Sequence, residues 1–245
     1  MDTVNTNCKL DNLLIVSATE TECAPLLCEI TGCKTISPCL YSGTLHGQPV
    51  EILISGIGSV AVTFRLTQTL MQRSYGYAVS IGIAGSFTEN IPIGETIQIT
   101  EDCFADLGID NNGQFHSLRE AGLNCDDLEG DFMINPFPVQ SLHREVRGVT
   151  VQTASGSQQR IEELVGRFQP HVETMENAAF FYVCHQMQVP FASFRAISNR
   201  VEPRNTEVWK IDEAIESVHQ TLLHLSHSAI KFSSSLSNHC NLVRL

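Results

Sequence analysis

The sequence lacks any apolar run of the length that crosses a membrane. A spanning helix needs roughly 18 to 20 consecutive apolar residues, and no segment of this chain approaches that length. Its first twelve residues, MDTVNTNCKLDN, are polar and lack the basic and apolar regions of a secretory signal peptide. These absences predict a cytoplasmic protein with no membrane partner.

Basic residues are also few. The 245 residues include 15 Lys and Arg against 27 Asp and Glu, which gives a formal net charge of −12. A protein that binds nucleic acid needs a basic face to neutralise phosphates, so this charge argues against a nucleic-acid partner. It does not argue against a small nucleoside, which carries no phosphate.

The nine cysteines lack the spacing of a zinc site or a disulfide framework. Their number is odd, they are scattered along the chain, and no C-x-x-C pair occurs. Reduced thiols that pack as small apolar residues are the simpler interpretation. We therefore expect no metal, and no motif of the sequence predicts an organic cofactor.

A complete phosphate-binding loop is missing as well. The segment 55–59, SGIGS, follows a strand and opens a helix, so its backbone N–H groups could cradle a phosphate. However, it has no third glycine and no following Lys-Ser/Thr pair. A tight turn that needs glycine explains the segment equally well.

Apolar strands and amphipathic helices alternate along most of the chain. Strands are predicted at 13–16, 40–45, 50–54, 77–83, 97–99, 149–153 and 191–197. Helices are predicted at 19–27, 59–73, 157–168, 179–187 and 211–229. Residues 111–147 carry turn residues and charge without periodicity, and we expect a long loop or lid there.

This alternation predicts an α/β protein built as a three-layer α/β/α sandwich around a central mixed sheet. We expect one domain over residues 1–245, with 1–12 and 233–245 as flexible tails. The stretch 172–205 is the most informative part of it. Glu176 precedes a helix there, and Arg195, Ser198 and Asn199 lie on or after a strand. Because ligand sites in α/β proteins form where strands end and helices begin, we expect these side chains to meet in one pocket.

Four segments resemble the superfamily of purine nucleoside phosphorylases and methylthioadenosine nucleosidases. In chain order they are 17–22 (SATETE), 55–58 (SGIG), 82–85 (GIAG), and the pair 175–176 (ME) with 195–199 (RAISN). Two shorter segments, 105–109 (ADLGI) and 201–205 (VEPRN), resemble the futalosine hydrolases of menaquinone biosynthesis within that superfamily. The resemblance implies a nucleoside phosphorylase-like fold and a cofactor-free hydrolase of purine N-ribosyl bonds. The family often forms homodimers.

The resemblance also implies a ribose site. Glu176 matches the glutamate that accepts hydrogen bonds from the 2′- and 3′-hydroxyls, and Met175 matches the methionine that packs on the sugar. Ala84 and Gly85 match the backbone strip beneath ribose and base, and Ser198 is expected to contact the substrate beside them. A carboxylate on the hydroxyls stabilises the positive charge that develops on the ribose in the transition state.

On the water side, the family uses an acid after the first strand as general base. A gapless alignment places Thr21 there, between Glu20 and Glu22. A one-residue bulge brings Glu22 into register, so we favour Glu22 and keep Glu20 as the alternative. Arg195 matches the arginine near the water and the sugar.

On the base side, Asn199 stands where adenine-specific nucleosidases carry an aspartate that helps to protonate N7. Its amide can accept from a protonated N7 and donate to a 6-oxo group, or, turned over, donate to N7 and accept from a 6-amino group. It therefore favours futalosine and leaves 6-amino-6-deoxyfutalosine open. Ile83 replaces a family serine, and no residue near Gly156 is an evident base-stacking partner. Arg204 is a candidate partner for the substrate's benzoate.

Three alternatives remain. A methylthioadenosine/S-adenosylhomocysteine nucleosidase shares the same segments. A purine nucleoside phosphorylase could use Ser59, Ser86 and Arg65 for phosphate, although an acid at the end of the first strand would repel that anion. A nucleoside-binding protein would have kept the pocket without the catalysis.

Overall fold

The computed structural model describes residues 12–123, 131–136, 138–139, 143–203 and 205–227. The predicted tails lie outside these ranges except for Asn12, and Arg204 also lies outside them. Within the described ranges, no helix is both long enough and apolar enough to span a bilayer.

Every predicted element overlaps an observed one. In the described part of the chain the strands are β1 Leu13–Ser17, β2 Thr31–Ser37, β3 Leu40–Leu45, β4 Gln48–Ile54, β5 Tyr77–Ser86, β6 Thr96–Asp102, β7 Gly108–Asn111, β8 Gln114–Ser117, β9 Met133–Ile134, β10 Glu145–Thr150, β11 Val172–Thr174 and β12 Phe191–Arg200. The helices are α1 Glu20–Glu29, α2 Ser59–Gln72, α3 Gln158–Phe168, α4 Asn177–Gln186 and α5 Ile211–His227.

Most of the strands form one mixed sheet. Its order is β11-β10-β6-β12-β5-β1-β4-β3-β2, and β9 pairs with β6. Strands β4, β1, β5 and β12 run parallel to one another, whereas β6 is antiparallel to β12 and β3 is antiparallel to β4. Helices α2 and α4 pack on one face and α1 and α5 on the other. The predicted three-layer α/β/α fold with a central mixed sheet is confirmed.

Strand β1 shows how the sequence specifies these layers. Leu14 and Val16 belong to the core on the α2 and α4 side, and Ile15 belongs to the core on the α1 and α5 side. Successive side chains of a strand point to opposite faces. A strand that is covered on both faces therefore reads as a continuous apolar run.

One end of the sheet closes on itself. Strand β11 pairs in parallel with β10 and antiparallel with β5, so β11, β10, β6, β12 and β5 form a ring. Glu173 of β11 pairs with Gly85, and Gly85 pairs on its other side with Asn199 of β12. The ring thus brings the segment that leads into α4 next to the carboxyl ends of β5 and β12.

The prediction of a long loop over residues 111–147 is wrong for the described part of that range; residues 124–130, 137 and 140–142 lie outside the described residues. Strands β7 and β8 form a hairpin, β9 adds to the sheet, and β10 begins at Glu145. The hairpin turns at Asn112 and Gly113, which have φ values of 54° and 83°. An Asn-Gly pair tolerates two positive φ angles and is a strong hairpin signal. Exposed strands give little hydrophobic alternation, which is why the pattern was weak here.

The six cysteines among the described residues carry free thiols. Cys23, Cys103 and Cys184 are buried, and burial raises the pKa of the Cys23 thiol to about 12. A neutral, buried thiol packs as a small apolar group, which agrees with the prediction of reduced cysteines for this part of the chain.

Candidate active site

Glu22 is held at the start of α1 by a capping box. The Thr19 side chain accepts from the Glu22 backbone N–H at 3.2 Å, and Glu22 Oε2 accepts from the Thr19 N–H at 3.1 Å. This reciprocal pair satisfies two backbone donors that the first turn leaves free. It also fixes the Glu22 carboxylate beside the end of β1.

The other carboxylate oxygen of Glu22 bonds to β5. The pairing of β1 with β5 ends at Val16 and Ser80, and beyond that point the Ile83 N–H donates to Glu22 Oε1 at 3.1 Å. A Cβ atom on Gly82 would lie 2.8 Å from the same oxygen. The missing side chain at position 82 therefore lets the carboxylate lie against the strand.

The Glu20 carboxylate faces Tyr41 instead of β5. It is exposed, and its Oε1 accepts from the Tyr41 hydroxyl at 3.4 Å. Of the two acids that the sequence left as alternatives, Glu22 is the one beside β5.

Arg195 lies across from Gly82 on β12 and is only 3% exposed. Its Nη2 donates to Ser80 Oγ at 2.9 Å, and its Nη1 donates to Ser193 Oγ at 3.1 Å and to the Phe194 carbonyl at 2.9 Å. A Cβ on Gly82 would approach its Nε to 3.5 Å. The guanidinium is thus fixed by its two Nη atoms, and its Nε lies toward Gly82 and the Glu22 carboxylate.

Three acids offset the burial of this cation. Desolvation lowers the pKa of Arg195, and the nearby Glu176, Glu22 and Asp102 raise it; a guanidinium stays protonated in such a setting. Burial has the opposite effect on Glu176, because it raises the pKa of that carboxyl group. The Gly58 hydrogen bond and the charge of Arg195 oppose this rise. Glu22 adds to the rise through like-charge repulsion. The site is one buried cation among carboxylates.

Glu176 occupies the N-cap position of α4 but does not cap that helix with its side chain. Instead its Oε1 accepts from the Gly58 N–H at 2.8 Å. Gly58 is the N-cap of α2 and has a φ of 87°, which glycine adopts without strain. The carboxylate therefore sits at the positive end of α2. Met175, half-buried, accepts through its carbonyl from Ser59 Oγ at 3.4 Å.

Asn199 and Ser198 lie where the register of β12 against β5 shifts. Ser198 Oγ is 2.8 Å from Asn199 Oδ1 and 3.3 Å from the Ala84 carbonyl, and Asn199 Nδ2 donates to the Arg200 carbonyl at 2.7 Å. A Cβ on Gly85 would lie 3.3 Å from Asn199 Nδ2. Turning the amide over would bring Oδ1 against the Arg200 carbonyl oxygen, so the protein holds one orientation.

A cavity of about 530 Å³ lies beside the loop that follows β10. It is lined by Asp106, Thr153, Ala154, Ser155, Gly156, Ser157 and Arg160. The buried Glu173 carboxylate accepts from the Ser155 N–H at 2.9 Å and from its hydroxyl at 2.5 Å. Burial raises the pKa of Glu173, and the Ser155 bonds oppose that rise. Since Glu173 pairs with Gly85, these two hydrogen bonds connect the loop after β10 to the strand beside Asn199. None of the described lining residues is aromatic.

Sequence reasoning missed Glu173 and a second buried acid, Asp102. Asp102 is fully buried and accepts from Thr150 Oγ1 at 2.9 Å and from Asn177 Nδ2 at 2.8 Å. Burial raises its pKa to about 7, against these two hydrogen bonds and the charge of Arg195. The sequence signal that could have revealed Asp102 is a polar residue within an otherwise apolar strand. Ser80 and Ser193 are buried polar residues of the same kind.

The structure brings the residues predicted for the site together along one edge of the sheet. Glu22 and Arg195 meet at the position of Gly82, and Glu176 is close enough for both charges to affect its pKa. Ala84, Gly85, Ser198 and Asn199 continue along β5 and β12. Ile83 contributes its backbone N–H, while its side chain packs with the core on the α1 and α5 side.

The whole of this arrangement lies within a region that matches a known family. The family model described as the phosphorylase superfamily matches residues 12–231. The chain belongs to the phosphorylase superfamily. The superfamily part of the resemblance is confirmed, because the match covers both the Glu22 and the Asn199 ends of the site.

Within the superfamily, the chain is similar to enzymes of two names. It is 29% identical to the 5′-methylthioadenosine/S-adenosylhomocysteine nucleosidase of Bacillus subtilis, over 87% of this chain and 96% of that protein. It is 28% identical to the futalosine hydrolase of Thermus thermophilus, over 74% and 83%. A nucleosidase from Colwellia psychrerythraea, solved with adenine, has the same fold, with a TM-score of 0.75 and 21% identity over 88% of this chain and 94% of that one.

The raised pKa of Asp102 predicts a pH dependence of stability. A carboxyl group that holds its proton more tightly in the folded state stabilises the fold at low pH. That contribution is lost as the pH rises from about 4 through about 7. The loss is at most about 1.4 kcal/mol per pH unit. We expect the free energy of unfolding of the wild type, minus that of Asp102→Asn, to fall across this window and level off above it.

Urea denaturation of both proteins at several pH values measures this difference. Glu173, whose pKa is also raised, is present in both proteins and drops out of the difference. A difference that is constant with pH would contradict the prediction.

Proposed function

We propose that the protein is a purine nucleosidase that hydrolyses the N-ribosyl bond of futalosine or 6-amino-6-deoxyfutalosine, a step of menaquinone biosynthesis, and releases the base. The coarser expectation, an enzyme of the nucleosidase class, agrees with the names of its relatives. The observation that carries the proposal is the meeting of the Glu22 carboxylate and the Arg195 guanidinium at the bare backbone of Gly82.

Glu22 suits the role of general base for water. Its two oxygens are each held by a backbone N–H, one from Thr19 and one from Ile83. Oε2 also accepts from the Thr19 hydroxyl at 2.9 Å, whereas Oε1 keeps a further lone pair. Oε1 can therefore take a proton from water while the group stays in place. Arg195 stabilises the charge that shifts during this transfer.

Glu176 suits the ribose. The Gly58 N–H holds one of its oxygens, which leaves the other oxygen for the two hydroxyls of the sugar. Because N-ribosyl cleavage builds positive charge on the ribose, a desolvated carboxylate there binds the transition state more tightly than the ground state. Met175 precedes it and would pack on the sugar.

Asn199 suits a purine whose N7 is protonated as it leaves. Its local contacts use one hydrogen of Nδ2 and one lone pair of Oδ1, and one of each remains. Since the amide has a fixed orientation, it can prefer one pattern of donors and acceptors on the base. We propose that this pattern is that of a 6-oxopurine, with the 6-amino analogue as the second choice.

The contacts of the site favour water over phosphate as the nucleophile. Ser59 accepts from the Gln152 side-chain amide at 2.7 Å, Arg65 donates to a backbone carbonyl at 3.2 Å, and the Ser86 hydroxyl donates to a backbone carbonyl at 2.8 Å. The helix N-terminus that could cradle a phosphate instead holds the Glu176 carboxylate. An anion brought there would meet like charge.

A methylthioadenosine/S-adenosylhomocysteine nucleosidase is the second candidate, favoured by the similarity to the Bacillus subtilis enzyme. Asn199 argues against it. An asparagine cannot supply the proton that assists the departure of adenine, and acid assistance is worth about 10²- to 10⁴-fold in rate. A cytoplasmic location, a homodimer and a benzoate contact at Arg204 stay predictions.

A substrate panel tests the proposal. Release of base from futalosine, 6-amino-6-deoxyfutalosine, methylthioadenosine, S-adenosylhomocysteine and inosine would be compared by kcat/KM. We expect the highest value for one of the first two. A preference of more than tenfold for methylthioadenosine would overturn the substrate assignment, and binding without turnover of any of the five would identify a nucleoside-binding protein.

Glu22→Gln keeps the size of the side chain and removes its basicity. We expect kcat to fall by about 10²- to 10⁴-fold, the usual contribution of a general base. Glu20→Gln is the matched control and should change kcat less than about twofold, because Glu20 is exposed and faces Tyr41. The reverse order of effects would assign the base to Glu20.

Gly82→Ala should separate activity from stability. The added Cβ would meet the end of the Glu22 side chain at 2.8 Å, which can move aside at little cost to the fold. That movement takes the carboxylate from its position, so we expect kcat to fall at least about tenfold with little change in the thermal midpoint. Gly166→Ala, where nothing lies within 4 Å, is the control. Wild-type turnover in Gly82→Ala would show that the position of Glu22 is unimportant.

Asn199→Asp should shift preference toward 6-amino purines, because a carboxyl group can carry the proton that an amide cannot. The quantity to measure is the ratio of kcat/KM for 6-amino-6-deoxyfutalosine to that for futalosine. An unchanged ratio would remove Asn199 from base recognition.

A further inference from the structure

The N-terminus of α4 is capped by two threonines of neighbouring strands. Thr174 Oγ1 accepts from the Asn177 N–H at 3.3 Å, and Thr150 Oγ1 accepts from the Ala178 N–H at 2.8 Å. A helix N-terminus usually has these donors satisfied by its own N-cap side chain. Here the threonines take over that role, and the N-cap side chain, Glu176, is free to face Gly58.

The hydroxyl of Thr150 is in turn oriented by Asp102. Thr150 Oγ1 donates to Asp102 Oδ1 at 2.9 Å, so its lone pairs are left to face the helix. Asp102 has no exposed surface. A buried carboxylate that accepts from a hydroxyl fixes the rotation of that hydroxyl, since the alternative leaves a buried acceptor unpaired.

The second oxygen of Asp102 begins a chain of hydrogen bonds that ends at Arg195. Asn177 Nδ2 donates to Asp102 Oδ2 at 2.8 Å, Ser193 Oγ donates to Asn177 Oδ1 at 2.5 Å, and Arg195 Nη1 donates to Ser193 Oγ at 3.1 Å. Every donor in this chain points toward Asp102. An ionised carboxylate only accepts and a guanidinium only donates, so the two charged ends together set the direction of all three bonds.

We infer that Asp102 is a positioning residue of the nucleosidase site, which places Glu176 through Thr150 and places Arg195 through Asn177 and Ser193. The inference rests on the proposed function and adds to it a residue that touches neither sugar nor water. One carboxylate thereby sets the relative position of the ribose-binding acid and the cation opposite it.

Asp102→Asn tests the direction of the hydrogen bonds that run from Arg195 to residue 102. The new amide has one acceptor and one donor where the carboxylate had two acceptors, so one of the two bonds is lost. If its donor faces Thr150, the Thr150 hydroxyl hydrogen loses its acceptor; if its donor faces Asn177, that amide must turn over and donate to Ser193. Ser193 would face two donors, and its hydroxyl hydrogen would lose its acceptor. We expect kcat for the best substrate at pH 8 to fall about tenfold to a hundredfold, with a smaller change in KM. Asp212→Asn, an exposed acid of α5, is the matched control and should keep wild-type kcat.

The double variant Asp102→Asn with Asn177→Asp restores the direction. The amide at 102 would accept from Thr150 and donate to the new carboxylate at 177, which accepts from Ser193. We expect kcat to return to within about fivefold of the wild type. A side chain that serves only stability would lower the thermal midpoint of Asp102→Asn without this recovery of kcat.

Two further results keep the test decisive. Crystal structures of the single and double variants should show the Arg195 guanidinium and the Glu176 carboxylate displaced in the first and returned in the second, whether or not the substrate assignment holds. If Asp102→Asn does not fold, Ser193→Ala cuts the same chain at a smaller group and should also lower kcat. Wild-type kcat and unmoved side chains in the single variants would overturn the inference. Failure of the wild type to cleave any nucleoside would overturn the proposed function instead.

Discussion

The burial of one cation organises the candidate site. Arg195 is almost completely withdrawn from solvent, and a buried charge is tolerated only when it is hydrogen-bonded and balanced. Serine hydroxyls and a backbone carbonyl accept from its two Nη atoms, while Glu22, Glu176 and Asp102 balance its charge. Of these carboxylates, Glu22 lies beside the bare backbone at Gly82, and the proposed chemistry uses Glu22 and Glu176.

The closed ring of strands accounts for the position of Glu176 near Glu22 and Arg195. An open sheet would bring together only the parallel strand ends, which here supply Glu22 and Arg195. Because β11 also pairs with β5, the chain returns to the same edge and places Glu176 at the start of α4. The two hydrogen bonds from Ser155 to Glu173 then connect the loop after β10 to that edge.

Much of the fold could be predicted because buried strands and amphipathic helices carry strong hydrophobic patterns. Strand β2 could not, since every residue from Thr31 to Ser37 is exposed, and β11 is only three residues long. The main site residues followed from short motifs that match a known superfamily. The roles of Asp102 and Glu173 could not be predicted, because an isolated acid in a strand reads as a surface residue until the pairing of distant strands shows that it is buried.

The central claim is that water, activated by Glu22 beside Arg195, cleaves the N-ribosyl bond. Its most direct test is the rate of base release from futalosine as inorganic phosphate is raised from zero, with identification of the sugar product. We predict a rate that does not depend on phosphate and a sugar that carries a free anomeric hydroxyl. Base release that requires phosphate, with formation of a sugar 1-phosphate, would contradict the claim.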